Sequence, residues 1–497
     1  MITSRTISLG IISLGMLPAC GATSGRELFV NPPADQAGAS TSDAGDDAGG
    51  AGEPLTAPLQ VARGPASLVG VTSDGYAVYR AADQTLQAVG LHSGAPSLPI
   101  TDKPGTIVIK GRVLFSWADV DWMTNLGRLL VWTAEGGAHD AGVALYSEEM
   151  VAATTDGKTI AYNVNVTPTT TDLVITSNDF SAPKTLIAGV GRGSEQTCRS
   201  SFGFVGSRLV IGWCRPGSQF GKIERYEPVG GEWTAAMIAS DSLSTWSSDQ
   251  SGNLVFYQSN DYRGRVVEAG ESKVIDASVS SGIVLPNGSA ILYNVGDQLR
   301  RTALPDINPI PIVTRGFAQV AEFSPSYGHV LYSRQVTYEG GTKRDLMLSD
   351  TSVFNPQPTE LVAAPTAGLS RSAFTSDGQN VMYLTDVSDR GSTLNIYSIA
   401  THITRRYPNV DTVLAAGNGK IVFTDRRSDP AKYPIVADLN VLDASIDGPR
   451  HLLEPQILDG RSFFADPETG LVTYVRSGLY RDPADPESQG VFVQSVR

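Results

Sequence analysis

Residues 374–386 read FTSDGQNVMYLTD, and this stretch decides the fold. Asp377-Gly378 supplies the positive φ angles of a tight turn, and the run Val381-Met382-Tyr383-Leu384 that follows consists mostly of strand-forming residues. The same pattern recurs along the chain. Turn glycines stand at Gly75, Gly111, Gly157, Gly206, Gly252, Gly288, Gly328, Gly378, Gly419 and Gly470, separated by 36 to 51 residues. Four or five residues after nearly all of them comes an aromatic: Tyr79, Phe115, Tyr162, Phe256, Tyr293, Tyr332, Tyr383, Phe423 and Tyr474. In the fourth unit Val210 takes that place.

A period of about 44 residues with four short strands per unit predicts an all-β chain, a β-propeller of four-stranded antiparallel blades. One blade cannot cover both of its own faces, so neighbours must stack and the ring must close. The glycine turns predict about ten units, with eight larger blades or two smaller rings as the alternatives. In the seventh unit the expected strands are 318–323, 329–335, 345–350 and 359–362. After Gly470 only residues 471–476 and 490–496 read as strands, so the last unit lacks an outer strand. Residues 55–62 are expected to supply it and close the ring.

The turns FSPSYGHVLYSRQ (323–335) and FTSDGQNVMYLTD resemble the repeats of TolB-like and WD-repeat-like bacterial propellers. The resemblance spans most of residues 60–497 and implies the fold. It implies no activity, because such propellers serve as scaffolds, sensors and enzyme appendages.

Ahead of the repeats, Arg5, the apolar run 7–17 and Leu17-Pro18-Ala19-Cys20 predict a signal peptide over 1–19, since eleven apolar residues are too few to span a bilayer. This ending resembles a bacterial lipoprotein signal, which implies lipidation of Cys20 and a cell-envelope location. Gly21 in place of an aspartate points to the outer membrane. Residues 20–58, including SDAGDDAGGAGEP, predict a flexible acidic tether ahead of a propeller over 59–497. The lipid is then the only membrane attachment.

Chemistry is marked far less clearly. The formal charge of −13 argues against nucleic acid as a partner. The five histidines form no ligand or catalytic pattern, and neither a nucleophile elbow nor a phosphate loop is present. No cofactor, metal or catalytic residue is predicted, although a carboxylate pair inside the ring would not show in sequence. Cys198 and Cys214 flank Gly206 symmetrically and predict a cross-strand disulfide. Long second-to-third loops in four consecutive units (334–345, 385–392, 424–435, 476–490) predict one partner-binding rim. Its candidate contacts are Arg334, Tyr338, Arg344, Arg390, Arg426, Arg427, Tyr433, Tyr480 and Arg481, because Arg and Tyr anchor interfaces. The expected function is a non-catalytic scaffold for an envelope protein. The alternative is a carbohydrate-binding or carbohydrate-active propeller with glycan contacts at Trp117 and Trp122.

Overall fold

The computed structural model describes residues 57–497 except 65, 104, 122, 147–149, 165, 168, 192–199, 217, 219, 339–340, 354–355, 364–371, 389–390, 427–435, 445–449, 459–462, 468, 477–488 and 497. The signal, Cys20 and nearly all of the tether therefore lie outside the described residues. No helix among the described residues is long and apolar enough to cross a membrane.

The strands form six antiparallel sheets of four strands and two of seven. In each seven-stranded sheet one long strand is shared. Glu232–Ser248 pairs with Gly221–Val229 through its first half and with Leu254–Ser259 from Ser242 onward. Thr404–Ala415 does the same between Gly391–Ser398 and Lys420–Arg426. Dividing each shared strand between two four-stranded units gives the unit numbering used below, with one turn glycine per unit. The fold is a β-propeller.

The second strand of a unit shows why. Asn380–Ser388 carries five successive buried residues, Asn380 to Leu384, because both of its faces are covered. Strand geometry sends Val381 and Tyr383 to one side, where they pack with Leu331, Leu346 and Leu348 of the seventh unit. It sends Met382 and Leu384 to the other, against Ile421, Phe423 and Leu442 of the ninth. Each such side chain contributes about 1.5–3 kcal/mol by leaving water. The other clusters likewise join each unit to the next. The last of them sets Val475 and Val491 of the tenth unit against Ala77, Tyr79 and Val89 of the first.

The expected closing strand is present, with bounds Leu59–Arg63. It pairs antiparallel with Gly490–Ser495 and completes a sheet otherwise made of the last three strands.

The turns are built as the sequence implies. Thr375 Oγ1 donates to Asp377 Oδ1 (2.6 Å) and accepts from the Asn380 N–H (3.1 Å), while the Gly378 N–H reaches the Thr375 carbonyl (2.8 Å). Gly378 sits at φ +68°. One turn differs. Gly328 is not left-handed, and Tyr327 takes that conformation at φ +58°. Tyr327 lies three residues after Ser324, as Gly378 does after Thr375, so the strained position is set by the turn and not by the glycine.

The loop expected at 334–345 is also shorter than predicted. The second and third strands of the seventh unit run to Tyr338 and back from Gly341. Residues 335–338 (QVTY) are rich in strand formers, and they continue the ladder until the Glu339-Gly340 step.

Candidate functional site

The two ends of the units differ chemically. At one end the glycine turns are tight and bonded to their neighbours. Ser376 Oγ donates to the Ala416 carbonyl (2.6 Å) and accepts from the Gly419 N–H (3.1 Å). The Ser73 N–H likewise donates to the Gly111 carbonyl of the next unit (3.0 Å). This end offers few unengaged groups.

The opposite end carries the second-to-third hairpins. In the seventh unit the ladder extends from His329↔Asp350 to Tyr338↔Gly341. The inner strand reaches only as far as Arg334, and the outer strand only as far as Leu346. Residues 336–338 and 341–344 therefore project as an arm of two paired strand ends, with Val336 36% exposed and Arg344 exposed. The base of the arm is tied down. Arg334 donates to Asp345 Oδ2 (2.6 Å) and to Glu360 Oε2 (2.7 Å) on the outer strand.

The next units carry other features near their second-to-third hairpins. In the eighth unit Ser388 pairs with Gly391, and Val387 is exposed beside left-handed Asp386 (φ +54°). In the ninth, Arg450 bridges Asp425 Oδ2 (2.5 Å) and lies over the Phe423 ring (5.3 Å to the centroid). In the tenth, Arg476 donates to buried Glu454 (2.6 Å) and stacks over Phe492 at 3.9 Å.

The candidate contacts thus separate by role. Arg334 supports the arm through Asp345 and Glu360, with its side chain 32% exposed. Arg344 is presented to solvent, and Tyr338 and Arg426 end their strands. Arg390, Arg427, Tyr433, Tyr480 and Arg481 lie outside the described residues.

Trp117 is fully buried, 5.4 Å edge-on to Tyr146 and 6.4 Å from Phe115. It offers no face on which a sugar could stack, so the expected Trp117 glycan contact is corrected to a packing role. Trp122 lies outside the described residues. The turn beside it is well built, with Asp121 accepting from the Met123 N–H (2.9 Å) and the Thr124 hydroxyl (2.8 Å).

Cys214 is buried and disulfide-bonded, while Cys198 lies outside the described residues. The hairpin ladder runs from Ser201↔Gly212 to Val205↔Arg208. Its centre therefore falls between Gly206 and Ser207, half a residue from the symmetry the cysteine spacing assumes. Among the described residues no three His, Cys, Asp or Glu side chains converge to hold a metal ion.

A recurrent contact escaped the sequence reading. Tyrosines on second strands bond a carboxylate on the outer strand of the preceding unit: Tyr257 to Asp241 (3.2 Å), Tyr293 to Asp276 (3.2 Å) and Tyr474 to Glu454 (3.1 Å). The sequence signal is an acidic residue 16, 17 or 20 positions ahead of the tyrosine. Burial, reinforced by these anions, raises the phenol pKa of Tyr293 and Tyr474, and burial alone pushes Tyr332 up to about 12. A folded-state pKa above the unfolded value means that the unfolded chain loses its proton first. Stability is then fully present below about pH 10 and falls as pH rises beyond it, by about 1.4 kcal/mol per pH unit for each phenol held protonated. An alkaline titration followed by phenolate absorbance should show these tyrosines ionising together with unfolding.

No protein-family model matches the chain, and no curated protein matches it. Solved structures do. A eukaryotic initiation factor aligns at 12% identity over 71% of this chain and 90% of its own, with a TM-score of 0.47. Porphyromonas gingivalis dipeptidyl peptidase 4 aligns at 10% identity over 78% of this chain and 59% of its own, with a TM-score of 0.45. A prolyl endopeptidase aligns at 10% identity over 77% and 55%, with a TM-score of 0.39.

Proposed function

We propose that this chain is a lipid-anchored propeller of the cell envelope, exported by residues 1–19 and held at the outer membrane through Cys20. It acts as a non-catalytic scaffold that binds an envelope protein through its hairpin-bearing rim. The contacts are Tyr338, Arg344, Arg390, Arg426, Arg427, Tyr433, Tyr480 and Arg481, and no cofactor takes part. The observation that carries this reading is the paired arm of residues 336–338 and 341–344, which projects past its sheet on a base fixed by Arg334, Asp345 and Glu360. A rigid support under exposed apolar and cationic groups suits recognition, because little order remains to be imposed on binding. Arg476, which ends the second strand of the tenth unit at its hairpin and bonds Glu454, fits the same design. Of the two tryptophans expected to bind a glycan, Trp117 is buried.

The test is capture from envelope extract by the full chain and by its Val336→Asp/Arg344→Glu variant, followed by direct titration of the captured protein. Capture by the parent, with at least a tenfold weaker titration by the variant, supports the rim. Equal affinity for both places the surface elsewhere, and retention on a polysaccharide column without a protein partner returns the glycan reading.

A further inference from the structure

We propose that the outer edge of the fourth unit is a self-association site, where residues 233–237 of two copies of this chain pair as antiparallel strands.

An outer strand exposes unpaired backbone groups, and proteins normally blunt such edges with proline, charge or a bulge. The other outer strands here do so. Ser97–Thr101 contains Pro99, Pro309–Val313 contains Pro309 and Pro311, and Pro408 and Pro455 interrupt two more. Glu271–Asp276 and Thr359–Val362 carry charges. Gly137–Leu145 has Asp140 and left-handed Gly142, while Lys184–Gly191 and Leu59–Arg63 shift register.

Glu232–Ser248 lacks proline, charge and register shift over residues 233–237, which read WTAAM, and its ladder shifts only beyond them, at Ile238. Its ladder to Gly221–Val229 is regular from Val229↔Glu232 to Glu224↔Met237. Leu254–Ser259, its other neighbour, pairs with it only from Ser242 onward. Gly230 and Gly231, at φ +60° and +86°, form a two-residue turn that makes Val229 and Glu232 a hydrogen-bonded closing pair. Alternation then turns the N–H and C=O of Trp233, Ala235 and Met237 outward. Thr234, Ala235 and Ala236 are exposed, and Met237 is 52% exposed.

The strip is complementary to itself. Antiparallel pairing about Ala235 sets Trp233 of each copy opposite Met237 of the other, an aromatic–thioether contact. Ala235 faces Ala235, which lets the backbones approach, and Thr234 faces Ala236. No like charges meet, because Glu232 falls opposite Ile238 and already pairs with Lys184 of the third unit. An uncharged strip on a chain of charge −13 recognises a partner by backbone and apolar contacts, and a second copy brings both in register.

The experiment is sedimentation of the full chain carrying Cys20→Ser, which removes the lipid site and the remaining thiol, across a micromolar concentration series. A concentration-dependent dimer is expected. Ala235→Lys and Ala235→Glu should each lose it, since the pairing sets like charges face to face, and mixing the two variants should restore it. Ala235→Cys should give a covalent dimer on oxidation. Unchanged melting curves show that the variants are folded. A monomer throughout the series, or Ala235→Lys associating like the parent, overturns the proposal. So does a monomer whose edge instead captures a different protein in a manner sensitive to Ala235→Lys.

Discussion

Replacing Gly490 by alanine is expected to destabilise the ring at its closure by about 3 kcal/mol, through backbone strain and collision together. Gly490 sits at φ +140°, and a Cβ added there would lie 1.9 Å from the carbonyl oxygen of Ala62 and 3.2 Å from Arg63 Cα. These atoms belong to the backbone of the closing strand, which cannot swing aside as a side chain would. Ala62 and Arg63 pair with Val491 and Gly490, and the Gln60 amide donates to the Gln489 carbonyl (2.7 Å). The strand also places Ala62 in the cluster that joins the tenth unit to the first. Losing it exposes two unit faces at once, so the effect is larger than its five residues suggest. Thermal unfolding of Gly490→Ala, of a chain lacking residues 59–63, and of the two changes combined gives the test. Similar losses in the first two, with little added in the third, are expected of one shared interaction. A Gly490→Ala chain that melts like the parent would show that closure does not hold the ring.

How much of this was legible beforehand follows from the range of each interaction. The turn at Thr375–Asn380 bonds within six residues, so TSDGQN announces it directly. The closing strand was legible by deficit, because the last unit had too few strands and the N-terminal segment had one to spare. The roles of Arg334 and Arg476 were not. An exposed loop arginine and an arginine bonded to Glu360 or Glu454 look alike in sequence, since the partner lies 26 or 22 residues away on another strand. Trp117 was misjudged for a related reason. It lies on a second strand whose residues 113–117 are all buried because both faces are covered, and its partner Tyr146 comes 29 residues later. The protruding hairpin was missed because a loop boundary was drawn at Arg334, although the strand-forming run beside it already continued through Tyr338.

Glu454→Ala is the second substitution expected to be severe, at about 3–5 kcal/mol. The Glu454 side chain is only 2% exposed, and it accepts from Arg476 Nη2 at 2.6 Å and from the Tyr474 hydroxyl at 3.1 Å. Glu454 belongs to the ninth unit, whereas Tyr474 and Arg476 belong to the tenth, so the carboxylate joins two units across a buried seam. Removing it leaves the Arg476 cation over the Phe492 ring, 19% exposed and without this counter-charge. Cation–π attraction recovers about 1–2 kcal/mol at most, less than the desolvation left uncovered. Glu454→Gln keeps an acceptor but not the charge, and should fall between parent and alanine. Arg476→Leu combined with Glu454→Leu should be far less harmful than Glu454→Ala, because replacing both partners leaves no buried ion. Denaturant unfolding of the four chains measures this ordering. An alanine variant within about 0.5 kcal/mol of the parent, the range of ordinary surface changes, would show that the seam is held by apolar packing alone.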